Sequence, residues 1–183
     1  LTSFVVVLGL VGSASAALPE GWQSQDIGTT DGSADESGGM WIISADGADV
    51  WGSADEFHYA YVPLSGDGTI IAQVISNGEG SNGWAKGGVM IRETLDPGSE
   101  FAFVCVTPGN GLNFQARLTT GASATSDTGV ETPEQTAITA PYWVKLERDA
   151  AGNFNGYYSS DGVSWQAMIW NPQRISMPQN VYI

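Results

Sequence analysis

The chain has 183 residues, and its 20 acidic residues against 6 basic ones give a formal net charge of −14 at pH 7. So many carboxylates would repel a phosphate backbone, which excludes DNA and RNA as partners. The length suits one domain with a substantial core, and 24 glycines with only 14% charged residues are typical of an all-β chain rather than a helical one.

The chain begins with a segment that has the pattern of a secretory signal peptide. The apolar block 4–12 is too short to span a bilayer, and Ala14-Ser15-Ala16 supplies the small residues of a cleavage site. We expect cleavage after Ala16 and an incomplete signal peptide, because an initiator methionine and a basic first region are both missing. Residues 1–16 are therefore predicted as signal peptide and residues 17–183 as the domain of a secreted or cell-surface protein, with no membrane span in the mature chain.

The rest of the chain consists of short apolar or alternating runs separated by turn residues. About ten to twelve strands without helical crossovers are predicted, which favours an antiparallel two-sheet β-sandwich or jelly roll. The chain ends inside a predicted strand, so we expect the domain to lack its last strand. The clearest predicted strands are 40–44, 57–62, 69–76, 84–93, 101–107, 112–119, 142–148, 153–160, 163–169 and 180–183.

Two connecting segments carry predictions of their own. Residues 119–140 are rich in Thr, Ser, Ala and Gly and show no periodicity, so they are predicted to form a long surface loop. Asp161-Gly162 is a candidate two-residue type I′ turn between two strands.

The stretch from Gly83 to Glu93 carries the strongest functional signal. With a period of two, one face is small or apolar, namely Ala85, Gly87, Val89 and Ile91. The opposite face combines an indole with two cations, in the set Trp84, Lys86, Gly88, Met90 and Arg92. Such a set is unusual for a face that only meets water, so we predict that it binds a ligand.

Other strands also place polar or basic residues opposite the core, at Gln115, Arg117 and Lys145. An indole with amide and cationic groups can stack on a sugar ring and bond to its hydroxyls, or to the carboxylate of an acidic sugar. The alternative is structural: cross-strand ion pairs with Glu93 and Glu147, and cation stems that cover apolar surface. The predicted ligand-binding residues are Trp84, Lys86, Arg92, Gln115, Arg117 and Lys145.

The remaining chemistry-bearing residues favour structural roles. Cys105, the single cysteine, lies in an apolar run and is predicted to be a buried, inert thiol. His58, the single histidine, has no companion at metal-ligand spacing, so it is predicted to be a structural hydrogen-bonding residue and zinc is not expected. Four indoles are predicted to pack in the core or on a sheet: Trp22, Trp51, Trp165 and Trp170.

A cofactor is not predicted, although calcium remains an alternative. Asp46, Asp49 and Asp55, with loop carbonyls around the glycines, could hold the ion. Asp-Gly pairs are also ordinary turn chemistry, and the chain has no EF-hand pattern.

Several ordered blocks carry a resemblance to a known family: 26–28 (DIG), 47–52 (GADVWG), 55–59 (DEFHY), 84–93 (WAKGGVMIRE), 142–148 (YWVKLER) and 159–165 (SSDGVSW). With these blocks the chain, over about residues 20–183, resembles secreted bacterial modules of the concanavalin A-like lectin/glucanase superfamily, of the regulation-of-enolase type. The resemblance implies a curved jelly roll with a sugar site on its concave sheet. It also implies a module that is covalently joined to other domains of a larger secreted protein.

The superfamily also contains glycoside hydrolases, which generally carry two catalytic carboxylates on one strand in a Glu-x-Asp-x-(x)-Glu run. This sequence has no such run, and the adjacent Asp55 and Glu56 would point to opposite faces of a strand. We therefore predict a non-catalytic module that binds carbohydrate or another extracellular polymer. The alternatives are a structural or adhesive surface module without a soluble ligand and, less favoured, a glycoside hydrolase.

Overall fold

The computed structural model describes residues 3–7, 18–78 and 82–183. The expected cleavage site after Ala16 lies outside the described residues. The strands and the helix are β1 Ser3–Val7, β2 Gln23–Ile27, β3 Ser33–Ser37, β4 Met40–Ser44, β5 Phe57–Tyr61, β6 Pro63–Ser65, β7 Gly68–Ser76, β8 Gly87–Arg92, β9 Phe101–Thr107, β10 Gly111–Arg117, β11 Thr125–Ser126, α1 Pro133–Ala137, β12 Tyr142–Arg148, β13 Asn153–Ser159, β14 Gln166–Ala167, β15 Gln173–Arg174 and β16 Asn180–Tyr182.

The strands form a two-sheet β-sandwich, as predicted for an all-β chain. Sheet A has the strand order β14-β13-β12-β7-β1-β4-β3, with β15 also pairing with β13. Sheet C has the order β11-β10-β9-β8-β16-β6, and β2 and β5 form a separate two-stranded ribbon. The strand predicted at 180–183 is β16, which pairs with β6 and β8.

Alternating side chains of the two sheets form the main core. Val89 and Ile91 of β8 pack there with Phe114 of β10 and with Leu146 and Phe154 of sheet A, and all five are at most 3% exposed. Burying a side chain of this size stabilises the fold by about 1.5–3 kcal/mol. The face that was predicted to be apolar in the stretch 83–93 is therefore the core face of β8.

The opposite face of sheet C is also largely buried. The β2–β5 ribbon and the segment that precedes β5 cover it, and together they form a second apolar cluster of Ile27, Val50, Tyr59, Tyr61, Met90, Phe101, Phe103, Cys105 and Ala124. Every residue of β9 is buried as a result, which explains why its sequence is a continuous apolar run rather than an alternating one. Cys105 lies in this cluster with no exposure, as predicted.

Two predicted connections differ from the structure. The segment 119–140 is not simply a surface loop, because it contains β11 and α1 and buries the Asp127 side chain. Thr132 caps α1 and exchanges bonds with Gln135 in a capping box. The prediction of a two-residue turn at Asp161-Gly162 is wrong. Tyr158 pairs with Gln166, so the loop between these strands is longer than two residues.

The segment that the sequence marks as a signal peptide contributes a strand. β1 lies between β4 and β7 and runs parallel to both of them, whereas the other described strand pairs are antiparallel. The assignment of residues 1–16 to a signal peptide stays a prediction. Within the described ranges, no helix has the length and apolar character that crossing a bilayer requires.

Candidate functional site

A cavity of about 490 Å³ lies on the face of sheet C that does not meet the main core. Its volume falls within the range of about 300–1,000 Å³ that is typical of small-molecule sites. It lies beside the second apolar cluster, with which it shares Ala124. The lining residues come from the segment before β5, the approach to β8, β10 and the segment around β11: Asp49, Trp51, Trp84, Lys86, Asn113, Gln115, Ala124, Thr125, Ser126 and Thr128.

Two indoles form the aromatic part of this cavity. Trp51 is 40% exposed and Trp84 is 39% exposed, so both keep ring surface that a ligand can contact. Trp84 is one of the predicted ligand-binding residues. Trp51 was predicted to pack in the core or on a sheet, and its 40% exposure shows that it does not lie in the core. The preceding residue, Val50, is buried in the second apolar cluster, whereas Trp51 lies in the loop before β5 and lines the cavity.

Lys86 and Asp49 form an ion pair in the lining. The Lys86 ammonium donates to Asp49 Oδ1, which also accepts the backbone N–H of Val50 at 2.7 Å. The Lys86 side chain is only 7% exposed, while that of Asp49 is 46% exposed. An ammonium has three N–H donors, and in the described part of the chain Asp49 is its only recorded acceptor, so further donors remain for a ligand.

A hydrogen-bonded network backs the polar side of the cavity. Asn113 Nδ2 donates to Asp127 Oδ1 at 2.8 Å and to Thr128 Oγ1 at 3.1 Å. Asp127 also accepts the backbone N–H of Phe114 and the Gln135 amide, at 3.0 and 3.2 Å. Burial of its carboxyl raises the pKa of Asp127 to about 6, although these bonds oppose the rise.

Gln115, another predicted ligand-binding residue, lines the cavity but also holds one of its walls. Its Nε2 donates to the carbonyl of Val50 at 3.1 Å, so the amide fixes the chain between Asp49 and Trp51. The side chain itself has no exposure. Gln115 therefore holds Asp49 and Trp51 in place and offers no exposed side-chain surface of its own.

The expected ligand roles of Arg92 and Arg117 do not fit their surroundings. Both guanidinium groups bond to the Asp55 carboxylate, and all three side chains have no exposure. Arg117 Nη2 also donates to the carbonyl oxygens of Trp51 and Gly52, at 3.3 and 3.0 Å. The two arginines are buried because the segment before β5 folds over them, and they attach that segment to sheet C.

Arg92 completes this attachment at the far end of β8. Its Nε donates to the carbonyl of Thr94 at 2.7 Å and its Nη2 to that of Asp96 at 2.6 Å. Burial lowers the pKa of Arg92, while Asp55 opposes that effect. The two arginines therefore form structural ion pairs, as the alternative interpretation of the sequence expected. Their acidic partner is Asp55 and not the expected Glu93.

Lys145 does not share the face of the other five residues, because β12 belongs to sheet A. Its ammonium lies 4.1 Å from the ring centroid of Tyr157 and 4.8 Å from that of Trp165. These are cation–π distances. The expectation that six residues form one open surface is therefore not met: Trp84, Lys86 and Gln115 come together, Arg92 and Arg117 are covered, and Lys145 lies elsewhere.

The three calcium candidates have separate partners. Asp46 accepts bonds from the Thr30 hydroxyl at 2.9 Å and from the backbone N–H of Asp31 at 2.8 Å. Asp49 and Asp55 bond to the cations described above. A search of the described ranges finds no group of three or more His, Cys, Asp or Glu side chains arranged to hold a metal ion.

His58 has the structural role that was predicted for it. Its Nδ1 lies 2.7 Å from Asp26 Oδ1, across the β2–β5 ribbon. The ring is 6% exposed and packs beside Gly32, where a Cβ atom would lie 2.5 Å from the His58 Cβ.

Several residues of the cavity lining were not among the predicted site residues: Asp49, which was named only as a calcium candidate, Trp51, Asn113, Thr125, Ser126 and Thr128. The last three belong to the segment 119–140, which lacks periodicity. One signal was available there, since Thr132 and Gln135 have the spacing of a capping box and mark a helix start.

Comparison with protein-family models, with curated proteins and with solved structures finds no match to this chain. The resemblance to concanavalin A-like modules therefore stays a prediction.

Proposed function

We propose that this protein binds carbohydrate, or another extracellular polymer with similar groups, in the cavity between Trp51 and Trp84, without catalysing a reaction. The observation that carries the proposal is the pair of indoles, each about 40% exposed, beside polar groups in one cavity. Indole faces pack well against the apolar C–H face of a sugar ring, and the surrounding polar groups can bond to its hydroxyls.

The way in which the indoles are held supports binding. Trp51 follows a residue buried in the second apolar cluster, and its carbonyl accepts a bond from Arg117. The Trp84 backbone N–H donates to the Asn82 side chain at 3.0 Å, and the Asn110 amide donates to the adjacent Gly83 carbonyl at 2.9 Å. Walls fixed in this way need little ordering when a ligand binds, which favours affinity.

The number of carboxylates in the cavity lining favours ligand binding over glycoside hydrolysis. Among the described residues, the lining contains one carboxylate, that of Asp49, and it is paired with Lys86. Hydrolysis by the usual mechanisms needs two carboxyl groups about 5–10 Å apart across the scissile bond.

The proposal extends to the setting of the module. We infer a secreted or cell-surface protein in which this domain, of the concanavalin A-like type and its jelly-roll variant of the sandwich, is joined to other domains. The two-sheet architecture is compatible with this inference, as is the acidic surface charge expected to keep the protein soluble outside the cell. The alternative is an adhesive or structural module without a soluble ligand, which predicts that no glycan binds at this cavity.

The test is a glycan array followed by titration calorimetry with the wild-type protein and three tryptophan variants. We expect Trp51→Ala and Trp84→Ala each to weaken binding about tenfold or more, because a loss of about 1.4 kcal/mol corresponds to tenfold. Trp165→Ala is the matched control, since this half-buried indole lies against Lys145, outside the cavity lining. Absence of any glycan signal, or equal losses in all three variants, would overturn the proposal.

A further inference from the structure

The further inference concerns the charge of the ligand, and it rests on the function proposed above. The cations at and behind the cavity are Lys86, Arg92 and Arg117. Each has a carboxylate partner: Asp49 for the lysine and Asp55 for both arginines. Asp127, directly behind Asn113, adds a third carboxylate to balance the three cations at neutral pH.

The whole-molecule field adds to this local balance. A protein with a formal net charge of −14 repels anions at long range, and a compensated cavity offers no local attraction to offset that repulsion. The arginines cannot be released towards a ligand without leaving buried charges unpaired, because Arg92, Arg117 and Asp55 have no exposure.

Hydrogen bonding at the Lys86–Asp49 ion pair is a further argument against an anionic ligand. Lys86 has N–H donors beyond the one used by Asp49, and Asp49 Oδ2 accepts no bond within the described ranges. Donor and acceptor therefore lie side by side, which suits hydroxyl groups, since a hydroxyl both donates and accepts. An anionic ligand that accepts a bond from one of the remaining N–H groups of Lys86 would lie beside the Asp49 carboxylate, which is 46% exposed, and would be repelled by it.

We infer that the cavity selects an uncharged sugar residue over an acidic one. One hydroxyl accepts a bond from Lys86, a neighbouring hydroxyl donates to Asp49, and a ring face lies against an indole. Uronic acids and sulfated sugars are disfavoured at this position.

The experiment compares neutral polysaccharides with an acidic one. Wild-type protein is titrated by calorimetry with galactan, β-glucan, mannan and polygalacturonate oligomers, at 20 and 200 mM NaCl. We expect at least one neutral oligomer to bind tenfold or more tightly than polygalacturonate, with less than a twofold change between the two salt concentrations. A preference for polygalacturonate that weakens in salt overturns this inference and leaves carbohydrate binding intact. Absence of binding to every oligomer overturns both proposals.

A charge variant provides a second, independent readout. Asp49→Asn keeps a carbonyl acceptor for the Val50 N–H and removes the charge that neutralises Lys86. We expect neutral oligomers to bind threefold or more weakly and polygalacturonate to bind threefold or more tightly. Asp67→Asn, in the turn before β7, is the matched control and is expected to change neither. Thermal unfolding of both variants checks the fold, and an Asp49→Asn protein with unchanged selectivity contradicts the inference.

Discussion

Arg117 and Asp55 form a bidentate ion pair. Nη1 of the guanidinium donates to Oδ2 at 2.8 Å, and Nη2 donates to Oδ1 at 2.6 Å. Neither side chain is exposed to solvent. The pair connects β10 to the segment before β5, and the same guanidinium bonds to the carbonyls of Trp51 and Gly52. A buried charge pair thus holds the cavity wall that bears one of the two indoles.

The first prediction concerns the stability of this buried cluster. Asp55→Asn leaves Arg92 and Arg117 without their carboxylate in a site with no access to water, and breaking a buried pair in this way costs about 3–5 kcal/mol. Urea unfolding followed by fluorescence measures the loss. The control Asp67→Asn is expected to stay within about 0.5 kcal/mol of wild type. A loss below about 1 kcal/mol for Asp55→Asn would show that the cluster is solvated.

The second prediction is a pH dependence at Asp127. Its pKa rises from 3.8 to about 6 on folding, so between these values the folded state binds more protons than the unfolded state. The free energy of unfolding therefore falls as pH rises through this window, by up to about 3 kcal/mol, and the full benefit of the neutral carboxyl is present below pH 4.

The measurement for Asp127 is a difference between two proteins. Urea unfolding is measured for wild type and for Asp127→Asn at pH 4, 5, 6 and 7. Taking the difference between the two proteins removes the effect of other titrating groups. One of these is Glu93, because a hydrogen bond with Glu100 raises its pKa to about 7. The wild-type free energy of unfolding, relative to the variant, is expected to decrease from pH 4 to pH 7. A constant difference across this range would refute the prediction.

The fold class and the two faces of the central strands could be predicted from the sequence because a β-strand alternates with a period of two. Val89 and Ile91 face the main core, and Met90 and Arg92 face the other way. What alternation cannot tell is whether the second face meets solvent. Here the β2–β5 ribbon and the segment before β5 cover most of it, and that segment buries both arginines.

The cavity itself could be predicted only in part, for the same physical reason. Three lining residues could be predicted from the sequence: Trp84, Lys86 and Gln115. Alternation places each of them opposite the core, either within a strand or just before one. Asp49 and Trp51 lie in a loop, and Ser126 lies in a two-residue strand, where no periodicity indicates orientation. Their placement depends on long-range bonds such as that of Gln115 to Val50.

The third prediction concerns the reactivity of Cys105. Burial raises the pKa of this thiol to about 12, and the side chain has no exposure, so the reactive thiolate is both rare and inaccessible at neutral pH. Native protein is expected to show no reaction with a disulfide reagent such as Ellman's reagent over an hour at pH 8. The same protein in 8 M urea is expected to react with one equivalent. Rapid labelling of the native protein would contradict the burial of β9 on this face.

The last prediction concerns Gly88, the glycine on the face of β8 that points away from the main core. A Cβ atom at this position would lie 2.1 Å from the carbonyl oxygen of Val104 and 2.7 Å from the Cα of Cys105, both backbone atoms of the neighbouring strand. Gly88 is therefore required by the close approach of β9 and not by a ligand. Gly88→Ala must displace a strand that is buried on both faces, and the expected cost is about 1–3 kcal/mol in urea unfolding. Gly83→Ala is the matched control, because its nearest atom would be at 3.6 Å, an ordinary contact distance. Equal stability of the two variants would mean that β8 and β9 are not packed as closely as this register requires.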